Sequence, residues 1–296
     1  MGHRRGNFKF LESFSHYMPS VGGMLVLLLF IALGAVIGNV LVAALMLSLG
    51  DAFSMEYATL LSYPVMFFPA MIYAIVASRA KRNFTDGISL DAVHFSPSRL
   101  LFLAIIAMVL TISASFLSEP LSLILPQMPP SLKELMEGMT SGTFWVNFVC
   151  VCVFAPFFEE WLCRGMILRG LVGNGVKPVW AIVISAVFFG LIHLNPWQAL
   201  PAFVLGCAFG YVYYRTASLK LCMLMHFTNN FMALVLSRVD SLQDMESFSD
   251  LIPMPWYALL LAASAVIVVL SLLIFNKIKI GDKGHNFDTV KALFSE

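Results

Sequence analysis

The sequence contains 296 residues, of which 59% are hydrophobic and only 12% are charged. Soluble globular domains average about 45–50% apolar and about 25% charged residues, so this composition excludes an ordinary soluble domain and indicates an integral membrane protein. The formal net charge of +1 gives no reason to expect a nucleic-acid partner.

The apolar runs predict the membrane-spanning helices, because such a helix requires about 20 predominantly apolar residues. In chain order we place eight spans at about 21–49, 57–78, 99–118, 142–172, 177–194, 198–214, 218–237 and 255–275. The first run is too long for the apolar part of a cleavable signal peptide and suits a retained anchor. The fourth is longer than a bilayer requires, which predicts a tilt, a kink near Pro156 or an end outside the membrane.

Two other features predict local structure. The segment 119–141 contains several prolines followed by "SLKELMEGM", which predicts an outer surface loop with a short interfacial helix. The pairs Gly34/Gly38 and Gly206/Gly210 have the small-xxx-small spacing that allows close approach of membrane helices.

The distribution of positive charge predicts the orientation of the helices. Cytoplasmic segments of membrane proteins are enriched in Lys and Arg. With the N-terminus inside, all but two of the 18 basic residues, Lys133 and Arg238, fall in inner segments. This asymmetry predicts that both termini are cytoplasmic, in what we expect to be the plasma membrane of a bacterium.

Few ionisable or strongly polar groups interrupt the predicted membrane helices. Such groups usually mark function, because burying them in a bilayer is costly. They are Glu159, Glu160 and Arg164 on the fourth helix, His193 near the end of the fifth, and His226 and Asn230 on the seventh.

Helical spacing separates the roles of the two adjacent glutamates. Residues four apart share a helix face, whereas neighbours diverge by about 100°. Glu160 and Arg164 are therefore expected to form an ion pair, which can be purely structural. Glu159 points away from that pair and has no partner on its own helix.

The same spacing brings the other polar groups into pairs. Phe189 and His193 share one face, and so do His226 and Asn230, so these groups can converge with Glu159 on a common cavity. At about 1.5 Å per residue, His226 would lie roughly 10 Å closer to the inner surface than Glu159 and His193. Convergence then requires a tilted helix or a loop that dips inward.

These side chains suit hydrolysis of an amide bond without a covalent intermediate. A carboxylate beside a histidine can activate water, and an imidazole with an amide can donate hydrogen bonds to an oxyanion. No serine lies in a GxSxG context, which disfavours a nucleophilic mechanism. Two alternatives stay open: Glu159, His193 and His226 could ligate zinc, and buried Glu and His could relay protons in a transporter.

Three short motifs occur in order at these positions. They are EExxxR in "EEWLCR" (Glu159, Glu160, Arg164), FxxxH in "FGLIH" (Phe189, His193) and HxxxN in "HFTNN" (His226, Asn230). With these motifs the sequence resembles the CAAX-protease and bacteriocin-processing family of intramembrane proteases, also called CPBP or Abi. The resemblance covers about residues 140–240.

The resemblance implies an all-α membrane fold of about eight helices with a polar, water-filled intramembrane cavity. It divides the chain into N-terminal helices with an outer loop (1–140), a catalytic core (141–240), and a last helix with a cytoplasmic tail (241–296). It also implies roles for the motif residues: Glu159 and His193 activate water, His226 and Asn230 stabilise the oxyanion, and Glu160, Arg164 and Phe189 support them.

The resemblance bears on cofactors and partners as well. The family is named for metalloproteases, but the metal-free glutamate reaction of its prenyl-protein branch fits these residue roles better. We therefore expect no cofactor, with zinc as the alternative. The expected partners are the lipid bilayer and a peptide or protein substrate that could be membrane-associated. The alternative function is a non-catalytic scaffold or bacteriocin-immunity factor that uses the same cavity.

Overall fold

The computed structural model describes residues 9–50, 55–91, 95–140, 142–239 and 248–278, and within these ranges the chain is helical with no strand. The helices are α1 Lys9–Glu12, α2 Val21–Leu49, α3 Met55–Lys81, α4 Pro97–Ser118, α5 Pro130–Thr140, α6 Phe144–Gly173, α7 Pro178–Leu191, α8 Pro196–Thr216, α9 Leu219–Leu236 and α10 Met254–Asn276. Short 3₁₀ turns lie at Glu119–Ile124 and Phe248–Asp250. The predicted all-α class is confirmed.

Helices occupy all eight positions predicted as membrane spans, but not all are typical spans. Among the described residues, six helices are long and apolar enough to cross a membrane: α2, α3, α4, α6, α9 and α10. Helix α7 has 14 residues, or about 21 Å at about 1.5 Å per residue, which is less than the roughly 30 Å of a hydrocarbon core. Helix α8 has 21 residues but contains Gln198, Pro201 and Arg215. The protein is a multi-pass helical membrane protein.

The long fourth span, α6, is the central helix, and it alternates between α and π geometry. Its α-helical turns at Ala155–Glu160 and Arg169–Gly173 follow π-helical turns at Phe148–Phe154 and Trp161–Leu168. The amide of Ala155 bonds to the carbonyl five residues earlier, just before Pro156, which has no amide hydrogen. The disturbance predicted near Pro156 is therefore a change of helical hydrogen bonding, and such π turns often occur at functional sites.

Glycines let neighbouring helices approach closely around this centre. Helix α6 packs against α3, α7 and α9, while α2 packs on α3 and α7 on α8. A Cβ added to Gly34 would lie 2.2 Å from the carbonyl oxygen of Met66, and one added to Gly38 would lie 3.2 Å from α3. Added Cβ atoms at Gly206 and Gly210 would lie 3.0 Å and 3.2 Å from α7. The close approach predicted from both glycine pairs is confirmed.

Arg169, one of the basic residues that the charge distribution assigns to the inner segments, lies inside the protein. Its guanidinium is fully buried at the end of α6. It donates hydrogen bonds to five backbone carbonyls, those of Phe14, Ser15, Tyr17, Ile88 and Gly165. The apolar run of α6 continues beyond this residue, so the charge lies inside the protein. Arg169 ties the segments before α2 and after α3 to the central helix.

The helix predicted within "SLKELMEGM" is found as α5, Pro130–Thr140. Its position at the membrane interface stays a prediction. The chain ends, residues 1–8 and 279–296, lie outside the described residues, and the cytoplasmic location of both termini also stays a prediction.

Candidate active site

Glu160 and Arg164 form the ion pair that their spacing predicts. Nη1 of Arg164 lies 2.8 Å from Oε1 of Glu160, and both side chains are fully buried. Nη2 of Arg164 donates to the carbonyl of Gly206 at 2.9 Å. The guanidinium lies over the rings of Phe189 and Phe209, 4.6 Å and 5.3 Å from their centroids. A counter-charge, a carbonyl and two aromatic faces thus compensate for the burial of this cation.

His226 joins this ion pair, whereas the sequence interpretation grouped it with Glu159. Its Nδ1 lies 3.0 Å from Oε1 of Glu160, and its ring meets that of Phe189 edge-on at 5.2 Å. The physical reason is that adjacent carboxylates leave a helix in directions about 100° apart, and α9 packs on the side of Glu160. Because a carboxylate accepts hydrogen bonds, Nδ1 donates here. The other ring nitrogen, Nε2, has no hydrogen-bond partner among the described residues.

The turn before α9, the helix that carries His226, is buried and is held by a neighbouring segment. Residues 216–219, which form the turn between α8 and α9, are buried. The hydroxyl of Ser218 in this turn donates to Oδ1 of Asp91 at 3.0 Å, so the turn is also held from the segment before α4. The two predicted ways to correct the depth of His226, a tilted helix or a loop that dips inward, both stay predictions.

His193 lies just beyond the end of α7, not within it. Its Nδ1 is 2.8 Å from the carbonyl oxygen of Phe189, one of the carbonyls left without an amide partner at a helix end. Since a carbonyl only accepts, Nδ1 carries the hydrogen, and in the neutral imidazole Nε2 is then a free acceptor. Leu194 follows with a positive φ of 56°, and Asn195 donates from Nδ2 to the carbonyl of His193 at 3.0 Å.

Asn230 reaches α6 at a different level from His226. Its Nδ2 donates to the carbonyl of Val151 at 2.8 Å, and its Oδ1 accepts from Asn229 at 3.0 Å. In an α-helix the Val151 carbonyl would receive the amide of Ala155, which bonds elsewhere in the π turn, and Pro156 has no amide to offer. One amide proton of Asn230 therefore satisfies an otherwise unpaired carbonyl, and the second is available to another acceptor.

Glu159 has an environment quite different from that of its neighbour. Its Oε1 accepts a hydrogen bond from the hydroxyl of Tyr63, with 2.5 Å between the oxygens. Its Oε2 is buried and has no hydrogen-bond partner in the described part of the chain. Within those residues neither oxygen bonds to a histidine. The rings of His193 and His226 both contact the ring of Phe189, whereas the hydrogen-bond partner of Glu159 is Tyr63 on α3.

Unpartnered polar atoms concentrate at this point of the molecule. In the described part of the chain, the buried side-chain atoms without a hydrogen bond are Glu159 Oε2, Glu160 Oε2, Trp161 Nε1 and Arg164 Nε. Buried polar groups are nearly always paired in native proteins. All four atoms lie on six consecutive residues of α6, so the unpaired polar atoms of the described residues cluster at the motif EExxxR.

The three side chains considered as zinc ligands, Glu159, His193 and His226, each bond to a different protein group. Among the described residues, no three His, Cys, Asp or Glu side chains lie close enough together to hold one metal ion. These three residues do not form a zinc site in this arrangement.

Tyr63 is the residue of the site that sequence reasoning missed. A search restricted to charged groups, histidines and amides omits tyrosine. The available signal is a tyrosine beside a proline inside an apolar run, "SYPVMF". A buried tyrosine hydroxyl usually has a hydrogen-bond partner, so Tyr63 predicts a polar atom facing α3.

Comparison with known families adds to the geometry. Residues 141–232 match the family described as type II CAAX prenyl endopeptidase Rce1-like. This segment belongs to the Rce1-like family. It runs from just before α6 into α9, so it contains all three motifs and the whole set of residues around Phe189. The family assignment made from the motifs is confirmed.

No curated protein and no solved structure matches the chain. At the level of the family, this match supports a CAAX-type membrane protease. Of the two residues whose contacts the sequence did not predict, Arg169 lies inside the Rce1-like segment and Tyr63 lies outside it.

Proposed function

We propose that the chain is an intramembrane endopeptidase in which Glu159 takes a proton from the water that attacks a peptide bond. The difference between the two adjacent carboxylates supports this proposal. Glu160 is held by Arg164 and His226, whereas Glu159 has only Tyr63 on one oxygen and no ion-pair partner among the described residues. A carboxylate with one free oxygen can act as a general base, whereas the Glu160 carboxylate is already engaged by two protein groups.

His193 is proposed to orient the same water. Its Nδ1 donates to the carbonyl of Phe189, so its neutral ring offers the Nε2 lone pair. That lone pair can accept the hydrogen of water that Glu159 does not take. The attacking oxygen is then held by two acceptors and directed at the carbonyl carbon.

His226 and Asn230 are proposed to stabilise the oxyanion. While Nδ1 of His226 donates to Glu160, its Nε2 carries a hydrogen only in the imidazolium form. The Glu160 carboxylate supplies a counter-charge for that form. The second amide proton of Asn230 is the other donor, because the first is used by the Val151 carbonyl.

The proposed reaction balances without a cofactor. Water loses one proton to Oε2 of Glu159, and its oxygen bonds to the substrate carbonyl carbon to give a tetrahedral oxyanion. Collapse of this species breaks the carbon–nitrogen bond, and the proton held by Glu159 passes to the leaving nitrogen. The products are a carboxylic acid and an amine, and Glu159 is again ionised.

The proposed substrate class follows the family description and is tested with a defined panel. The panel consists of internally quenched peptides ending in cysteine, two aliphatic residues and a final residue, each made with and without a farnesyl group on the cysteine. Cleavage by the purified protein of any member supports the endopeptidase. Faster cleavage of the farnesylated members assigns the prenyl-protein class.

Substrate trapping in membranes tests the function without assuming a peptide. Membranes containing wild-type protein or Glu159→Ala are compared by proteomics. We expect proteins that are cut in the wild type to accumulate intact and to co-purify with the variant, because binding survives while water is no longer activated. Identical fragment patterns in wild-type and Glu159→Ala membranes would contradict the proposed function.

Control variants separate the alternatives. A biological effect that persists in the Glu159→Ala, His193→Ala double variant indicates a non-catalytic scaffold or immunity factor. Uptake of a solute that depends on a pH gradient indicates a proton-coupled transporter.

Metal content gives a separate prediction. We expect protein purified without added metal to cleave its peptide at an undiminished rate after dialysis against a chelator, with far less than one zinc per chain by elemental analysis. If the wild type contains stoichiometric zinc and His193→Ala loses it, the result would contradict the metal-free glutamate mechanism and favour a zinc-dependent one.

A further inference from the structure

Tyr63 stands out because it reaches Glu159 from outside the segment that carries the family motifs. It lies on α3, and the hydrogen bond to Glu159 spans 96 positions of sequence. The family match begins at residue 141. The contact thus joins the N-terminal helices to the proposed base.

The short distance indicates a charge-assisted hydrogen bond. An ionised carboxylate only accepts, so the Tyr63 hydroxyl is the donor. Bonds between a hydroxyl and a carboxylate are about 2.5–2.7 Å long, shorter than between neutral groups. The separation of 2.5 Å between the two oxygens agrees with this type of bond.

This bond makes the two oxygens of Glu159 unequal. Oε1 is fixed by Tyr63, and Oε2 is left buried without a partner among the described residues. If the bond only satisfied a buried acid, the second oxygen would still lack a hydrogen bond, which is costly for a buried polar group. The arrangement instead reserves one oxygen for another group.

Tyr63 is itself held firmly. Its ring lies 5.7 Å from that of Phe67 and 6.3 Å from that of Phe158, measured between centroids. Helix α2 approaches α3 closely on either side of Tyr63: Gly38 lies against Ser62, the residue before it, and Gly34 lies against Met66, three residues after it. The hydroxyl is therefore positioned by packed helices and not by a mobile loop.

We propose that Tyr63 is a positioning residue for the hydrolytic reaction, which holds the carboxylate of Glu159 by Oε1 so that Oε2 is the atom that receives the proton from water. The inference depends on the proposed function, because it assigns a role through Glu159. It makes the first helices of the chain part of the active site and not only a membrane anchor.

The test compares Tyr63→Phe with Tyr57→Phe, a matched control on the same helix whose side chain is exposed. The probe is the peptide of the quenched panel that the wild type cuts fastest. We expect Tyr63→Phe to lower kcat about 10- to 100-fold, as expected for a misplaced catalytic group, with KM within about twofold of wild type. Tyr57→Phe should behave as wild type. A Tyr63→Phe protein that keeps more than half of the wild-type kcat would overturn the inference.

A second series keeps the test decisive if Tyr63→Phe does not fold. Tyrosines with one, two or more ring fluorines are incorporated at position 63, which strengthens the hydroxyl as a donor with little change in volume. A kcat that changes along the series at constant unfolding temperature supports the positioning role. A kcat that is independent of fluorination overturns it, since a bond that only stabilises the fold would not affect the rate.

Failure of this inference differs from failure of the proposed function. If Glu159→Gln retains activity, the proposed role of Glu159 as the base is wrong. If Glu159→Gln is inactive and Tyr63→Phe is fully active, only the role of Tyr63 is wrong.

Discussion

Replacing Glu159 by glutamine should abolish proteolysis and leave the fold intact. The amide oxygen of the glutamine can still accept the hydrogen bond from Tyr63 that Oε1 accepts in the wild type. The amide nitrogen takes the place of Oε2 and has no lone pair to receive a proton. Loss of a general base lowers rates by about 100- to 10,000-fold, and we expect a fall in kcat of about 1,000-fold on the quenched peptide.

The stability of Glu159→Gln provides the second measurement. The wild type buries Oε2 without a partner, and an uncharged amide is cheaper to bury than a carboxylate. The unfolding temperature in detergent should therefore be equal to or higher than that of the wild type, which is the trade-off between stability and activity expected of an active site. A large loss of stability would show that Glu159 is structural, and an undiminished kcat would show that it is not the base.

The sequence was sufficient to predict the features that depend on the geometry of a single helix. The eight apolar runs all contain helices at the expected positions. The Glu160–Arg164 pair follows from the spacing of four residues, since this contact is fixed by helical geometry alone. The close approach at Gly34 likewise needs only the absence of a side chain. Such features could be predicted because no information about neighbouring helices is needed.

Contacts between distant segments could not be predicted in this way. The bonds of Tyr63 to Glu159 and of His226 to Glu160 depend on which helices are neighbours and on their rotation. The buried position of Arg169 depends on the carbonyls of two other segments that surround it. A charge near the end of an apolar run can lie in a loop or inside the protein, and the one-dimensional pattern does not distinguish these cases.

The same substitution at the next residue, Glu160, should instead lower the stability of the fold. Glu160→Gln removes the counter-charge of Arg164, which is fully buried and lies 2.8 Å away. Breaking a buried ion pair by removing one partner typically costs about 3–5 kcal/mol, because the other charge is left uncompensated. We expect a correspondingly large loss of unfolding free energy, measured by denaturant titration in mixed micelles. The Phe189 and Phe209 rings and the Gly206 carbonyl can compensate only in part.

A double variant distinguishes loss of the charge from loss of packing. In Glu160→Gln, Arg164→Met, no cation remains to be compensated, and methionine can fill the space between the rings of Phe189 and Phe209. Replacing a buried ion pair by groups of similar volume is often neutral, so the double variant should regain most of the stability that Glu160→Gln loses. Its activity should nevertheless stay low, because Nδ1 of His226 no longer bonds to a carboxylate and the imidazolium proposed to stabilise the oxyanion has no counter-charge. Equal stability losses in the single and double variants would contradict this account and would assign the effect to packing.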